Sequence, residues 1–287
     1  AVKNGAFLNL SNVFLHSQQL PLVLEQVESL KPLKSIEIVW SDFANEVRHG
    51  EIKSFDASVP VFVDVIPHVS SLMSVISQTS KFILTSLSLD NGGSFVRMEL
   101  LANGVSYKIT IDRLGGSRQR EITVANRRQV LKVNFSSNPW KTTLDGKSIS
   151  VLDAGLSSGL TPLGEMLRCF LKSVVARKGD ERLSIVHGLT ACSLSDQAYN
   201  FYNPALIQWS KAKISDGSVF GDDIDYFVNE QLRSRGFHLD PADPLRFHFR
   251  EAFFSNLSGF ESDDVPKLEK CVSIALRDIG LSFAVQG

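Results

Sequence analysis

The chain has 287 residues, 43% of them hydrophobic and 21% charged, with a formal net charge of −1. That is ordinary globular composition, with enough apolar material for one large or two modest domains. The near-neutral balance argues against a general nucleic-acid binder, which needs a basic face, and no apolar run approaches the ~20 residues that span a bilayer.

Cys169, Cys192 and Cys271 lie far apart, with no Cys-x-x-Cys pair or His/Cys cluster. Neither a zinc site nor a disulfide framework is indicated, and a reduced, cytoplasmic setting fits best. No secretory leader opens the chain. The first stretch, AVKNGAFLNLSNVFLHS, lacks an initiator Met. It reads as the tail of a helix, a stop at Gly5 and a short strand around Phe7–Phe14. A chain entered partway through a larger fold gives that pattern; so does a Met processed from before Ala1.

Gln18–Leu30 then carries Leu20, Leu22, Val23, Val27 and Leu30 at helical spacing, and Pro32 ends it. KSIEIVWSDF, residues 34–43, alternates as a strand. In VPVFVDVIPHVSSLMSVI, residues 59–76, Asp64 and His68 stand four apart in an apolar run. Burying an unpaired carboxylate there is expensive, so the pair needs a reason. Pro favours a first helical turn, which puts the helix start near Pro67, Asp64 just before it and His68 in its first turn.

The middle is dense in strands: KFILTSLSLD, SFVRMELLANG, VSYKITIDR, REITVANR and QVLKVNF, separated by glycine- and asparagine-rich turns. This spacing predicts an antiparallel meander. Lys108, Thr110 and Asp112 alternate with Tyr107, Ile109 and Ile111, so one sheet face is polar and helices cover the other. Gly155–Gly164 reads as a loop, and Pro162 opens a helix with Leu163, Met166, Leu167, Phe170, Leu171 and Val174 as its stripe. A second helix is expected from about Leu183 through Tyr199. Beyond Pro204, DGSVFGDDIDY and DPADP are acidic, turn-rich segments between helical stretches. The expected fold is α+β: an open, largely antiparallel β-sheet with helices packed on one face, over residues 1–203, and a helical C-terminal extension over 204–287.

This order of elements, carried by SIEIVWSDFANEVR, VFVDVIPHVSSLMSVI and TPLGEMLRCFLKSVV, resembles the substrate half of the Gfo/Idh/MocA family of NAD(P)-dependent oxidoreductases, across roughly residues 5–203. GAFLNLSNVF, within residues 1–17, resembles the last strand of that family's Rossmann domain. The family's Gly-rich phosphate loop and Glu-Lys-Pro lysine are not in this sequence. A dinucleotide site needs such a turn for the backbone to approach the pyrophosphate. NAD or NADP is therefore expected only if a Rossmann segment is supplied outside this chain.

The resemblance implies His68 as general acid/base at a substrate hydroxyl or carbonyl, with Asp64 positioning substrate or imidazole. The family pattern has Gly where Pro60 and Ile66 stand, and an acid where Ser71 stands; Pro67 and His68 match. An imidazole with an ordinary pKa near 6.5 suits proton exchange at neutral pH. Each site residue also has a plainer role available. Asp64 can cap the helix, and His68 can pack.

Trp40, Asp42, Glu46 and Arg48 suit a cleft for a polar substrate such as a sugar, or a solvated strand end. Arg113, Arg118, Arg120, Arg127 and Arg128 crowd two hairpin ends, where they can bind a phosphorylated or carboxylated ligand, form a solvated rim or make an oligomer contact. His187 falls where the family lines its pocket in some members. Tyr199 and Tyr202 read as packing. His238 and His248 lack a third metal ligand, so no metal is expected.

The leading reading is the substrate and oligomerisation half of an oxidoreductase acting on a sugar, cyclitol or natural-product intermediate. It would be a homo-oligomer through the sheet face, with no nucleic acid or membrane as partner. A cofactor-free isomerase, dehydratase or cyclase, and a non-catalytic assembly module, stand beside it.

Overall fold

The computed structural model describes residues 9–43, 47–48, 51–52, 59–137, 139–149, 161–215, 232–233, 236–237, 244–259 and 268–278. Glu46, His238 and the acidic segment around 216–226 lie outside them. So does the expected loop up to residue 160, and the described chain resumes at Thr161.

Leu20–Ser29 forms helix α1, with Pro21 in its first turn. Ser35–Phe43 follows as β1, and Val47–Arg48 and Glu51–Ile52 form the short hairpin β2–β3. Val61–Ser77 is α2. The sheet strands continue as β4 (Ile83–Asp90), β5 (Phe95–Ala102), β6 (Val105–Gly115), β7 (Gln119–Ala125), β8 (Val130–Asn134), β9 (Lys141–Leu144) and β10 (Lys147–Ile149). Then come α3 (Pro162–Ala176), α4 (Ile185–Ser215), α5 (Pro244–Gly259) and α6 (Leu268–Asp278).

The sheet has eight strands in the order β10-β9-β8-β7-β1-β6-β5-β4. Its pairs are antiparallel except β1 with β6, so the open, largely antiparallel sheet expected from the sequence is found. The continuous meander is not. β1 lies between β6 and β7, pairing Trp40 with Ile111 on one side and Arg120 on the other.

The Gly-rich connection after β6 therefore spans a strand instead of closing a hairpin. It rests on β1: Ser41 Oγ donates to the Ser117 carbonyl at 3.1 Å. A Cβ on Gly115 would lie 1.9 Å from Ser41 Oγ, so only glycine permits this approach.

Alternation sorts the sheet as expected. Tyr107, Ile109 and Ile111 are buried, while Lys108, Thr110 and Asp112 face away. The buried face is covered by α2, whose Val61, Phe62, Val65, Ile66, Val69, Leu72, Met73 and Ile76 follow the helical repeat. α4 packs against α2 and β4. Phe62 meets Tyr202 edge-on at 5.2 Å, and Tyr202 is buried, in keeping with a packing role.

Three further expectations change. Residues 9–14 form no strand. Val13–His16 is a short 3₁₀ turn, and the segment is tied down by a bond from Leu10 N–H to the Leu183 carbonyl at 3.0 Å. α2 begins at Val61 with Pro60 as its cap, not near Pro67. The apolar positions at 61, 62, 65 and 66 must face the core, and that packing outweighs the loss of one helical donor at Pro67. α4 runs on past Tyr199 to Ser215, through Pro204.

α3 departs most from its pattern. Thr161 caps it as Ser/Thr caps do, its hydroxyl accepting from Gly164 N–H. Its buried side is Glu165, Met166, Cys169 and Ser173. Of the expected stripe only Met166 is inside. Leu163, Leu167 and Leu171 are 51%, 51% and 61% exposed, and Phe170, Val174 and Val175 join them. The inner face is given to an ionic cluster: Glu165 clamps Arg168, and Arg182 donates to Asp180 at 2.6 Å and to Cys169 Sγ at 3.1 Å.

Candidate functional site

The C-terminal end of β1 and the middle of α2 face each other and bring aromatic rings together. Trp40 and Asp42, two apart on β1, both turn to the helix-covered face. His68 stacks parallel to Trp40, with ring centres 5.4 Å apart and planes within 3°. Phe14, on the 3₁₀ turn, meets both edge-on at 5.6 Å. Phe135 closes the group against Phe14 and Trp40 and leads to Trp140.

Arg120 stands opposite Trp40 across the β1–β7 pair, with its guanidinium 4.1 Å from the centre of the indole ring. It forms an ion pair with Asp42 and donates to the Ser41 carbonyl. Both side chains are buried, so each charge depends on the other.

Burial first, and then the Arg120 charge, hold the His68 imidazole below its usual pKa; Asp64 opposes this. At neutral pH the ring is therefore uncharged and has a basic nitrogen. Asp64 lies one turn before His68, in the first turn of α2, where a carboxylate suits the helix dipole. Its carboxylate accepts from Arg113 at 2.9 Å, and the same guanidinium reaches the Val59 carbonyl at 3.4 Å. Among the described residues no hydrogen bond joins Asp64 to His68. The Asp-x-x-x-His spacing thus gives two neighbouring groups with different partners.

Arg48 pairs with Glu51 in the short hairpin, at the level of backbone register. His187 sits in the first turn of α4, half-buried. Burial lowers its pKa against a bond to the Glu181 backbone, and no ring contact among the described residues joins it to the aromatic cluster. Arg113 and Arg120, for which the sequence left a ligand contact, a solvated rim or an oligomer contact open, are buried beneath the site, because each follows the inward alternation of its strand. Arg127 and Arg128 do lie exposed, at the opposite end of the sheet. Phe14, Phe135 and Trp140 were not marked by the sequence, where nothing placed their elements beside β1.

A second histidine is harder to place by motif. His16 is 1% exposed, and among the described residues neither ring nitrogen has a hydrogen-bond partner. Burial, then Arg182, push its pKa down. The unfolded chain takes up its proton near pH 6.5 while the folded chain resists. Stability present above that pH is lost as pH falls below it. His16 alone contributes a slope of at most about 1.4 kcal/mol per pH unit. Urea midpoints measured across pH 5.5 to 7.5 should show this loss, and His16→Leu should flatten it; an unchanged slope would clear His16 of the effect.

No family model matches the sequence, and no curated protein matches it. Among solved structures the fold recurs. KijD10, a 3-ketoreductase from Actinomadura kijaniata seen in an open conformation with TDP-benzene and NADP, aligns with a TM-score of 0.52 at 15% identity, covering 69% of this chain and 62% of that one. A D-galactose-1-dehydrogenase from Rhizobium etli aligns with a TM-score of 0.53 at 15% identity, covering 70% and 62%. At such identity the likeness is one of fold. The chain spans about three fifths of the length of either neighbour. No helix among the described residues is long and apolar enough to cross a membrane, and no group of metal-binding side chains occurs among them.

Proposed function

We propose that this chain is the substrate-binding and catalytic half of an NAD(P)-dependent oxidoreductase acting on a sugar, cyclitol or natural-product intermediate. The observation that carries the reading is the His68 imidazole, held neutral by burial and by Arg120 and stacked on Trp40, in a fold shared with a 3-ketoreductase and a D-galactose-1-dehydrogenase. Such a ring accepts the proton of a bound hydroxyl, or returns one to a carbonyl. The nearby guanidinium disfavours a lasting imidazolium, so the proton must pass on from the ring, which is only partly buried. Trp40 orients the imidazole, and Asp42 holds Arg120 in place. Asp64 lies exposed on the same side of α2, anchored from beneath by the buried Arg113. Arg48 and His187 remain proposed substrate contacts.

The described residues do not fit a dinucleotide. Its pyrophosphate needs glycines with open space above the backbone. Here the space at Gly93 and Gly115 is filled by Tyr202 and Ser41; Gly104, Gly116, Gly146, Gly179 and Gly236 have open space, but none belongs to a Gly-x-Gly-x-x-Gly turn between a strand and a helix. A nicotinamide cofactor would be held by other residues.

The outward apolar face of α3 supports a covering segment. Leu163, Leu167 and Leu171 at helical spacing expose an apolar face of α3 that a folded protein usually covers. Replacing both Leu167 and Leu171 by Glu should change the stability of this chain by less than about 0.5 kcal/mol. The same change should sharply reduce binding of a hydrophobic dye. A large loss of stability would mean that the face is already covered. Assembly through the polar sheet face is a separate proposal, read by light scattering.

The reading is tested by assaying keto-sugars and sugar alcohols with NADPH or NADP, on this chain and on the longest natural form of the protein. Turnover strictly dependent on the nicotinamide supports it. Turnover of the isolated chain without cofactor would shift the assignment to a cofactor-free isomerase, dehydratase or cyclase, the reading that the missing Gly-rich turn favours.

A further inference from the structure

The end of β1 remote from His68 opens into a cavity of about 540 Å³, lined by Lys31, Lys34, Gly104, Asn126, Arg127 and Arg128 among others. Lys34 and Trp40 are six residues apart on one extended segment, which separates the cavity from the ring cluster by about 20 Å. The volume falls in the usual range for small-molecule sites.

The cavity's walls are fixed by backbone. Asn126 Nδ2 donates to the Leu30 carbonyl at 2.8 Å, tying the β7–β8 turn to the end of α1. Asn126 Oδ1 accepts from Arg128 N–H at 2.8 Å and Gln129 N–H at 2.7 Å, which sets the conformation of the arginine pair. Lys34 N–H donates to the Ala125 carbonyl at 2.8 Å. Two lysines on one loop thus lie beside two arginines on another.

In a chain of net charge −1 this is a concentrated positive site. Among the described residues no carboxylate lines it. Lys31 pairs with Glu28 at 2.7 Å, on the flank of the cavity. Adjacent like charges fixed on a rigid turn repel unless an anion lies between them. Arginine forks with lysine point charges are the chemistry that recognises phosphate oxygens.

We propose that this cavity binds a soluble metabolite through two linked phosphate groups, one facing each pair of cations, at a site separate from the His68 cluster. The test is isothermal titration of the whole protein with inorganic pyrophosphate. Saturable binding at one site per chain is expected, weakening as salt is raised. Arg127→Ala/Arg128→Ala should weaken it by about tenfold or more, and Asn126→Ala by less, since it only positions the turn. His68→Gln should leave the affinity unchanged. Both arginines are exposed, so the double variant should keep the parent's circular dichroism and melting temperature.

Absence of saturable binding at millimolar pyrophosphate would overturn the proposal. So would equal affinity in a folded double variant. A short single-stranded oligonucleotide binding more than about tenfold tighter than pyrophosphate would assign the cavity to nucleic acid instead, again against the proposal.

Discussion

Arg120→Ala should destabilise the protein by about 3–5 kcal/mol, the range for removing one partner of a buried ion pair. The size follows from what is left behind. Asp42 would stay buried without the guanidinium that balances it, and the Ser41 carbonyl would lose a donor. Trp40 would also lose the cation against its ring. Urea unfolding with an unchanged m-value is the measurement. Arg120→Met combined with Asp42→Asn should recover much of the loss, since no lone charge is then buried. If Arg120→Ala alone cost under about 1 kcal/mol, the pair would have to be solvated, contrary to its burial.

His68→Gln should lower kcat by about 10²- to 10⁴-fold, the usual contribution of a positioned general acid/base. Gln keeps the approximate size and polarity of the side chain but cannot carry the proton. In the oxidising direction the parent's rate should fall on the acid side with an apparent pKa below 6.5, because burial and Arg120 keep the ring neutral. Arg120→Lys keeps the charge and should leave that limb low. Arg120→Met with Asp42→Asn should raise it toward 6.5. An acid limb unmoved by the double change, or a His68→Gln variant with full turnover, would remove His68 from the chemistry.

Much of the sheet was legible because alternation is local. Tyr107, Ile109 and Ile111 declare their face within one strand, and the glycine and asparagine turns mark where strands end. The place of β1 was not legible. Nothing within residues 35–43 says that their neighbours are residues 105–115 and 119–125, and consecutive strands ordinarily pair. That single long-range fact hid the opposition of Trp40 and Arg120, and with it the reason for a buried arginine.

The start of α2 was obscured because the preference of Pro67 for a first turn competes with the spacing of Val61, Phe62, Val65 and Ile66, and the spacing wins. The stripe of α3 was visible as apolar. Its direction was not, since periodicity defines a face without saying what the face meets. At the candidate site the histidine came through a family resemblance, while its ring partners Phe14 and Trp40 came from two separate elements that only folding brings together.

The position of β1 also bears on how the sheet is made. Ser35 pairs with Ser106 on one edge and Ala125 on the other, so the middle of the sheet is built from segments far apart along the chain. During synthesis β1 emerges early and must wait, with both edges open, until β6 and β7 follow. The β4–β5–β6 group and the β7–β8–β9–β10 group can each zip up locally, but neither pairs with the other without β1 between them. Completing the sheet thus requires two distant pairings, of β1 with β6 and with β7, the kind that slows a protein relative to its size. Removing residues 35–43 would leave two smaller sheets joined through residues 116–118, with no edge in common.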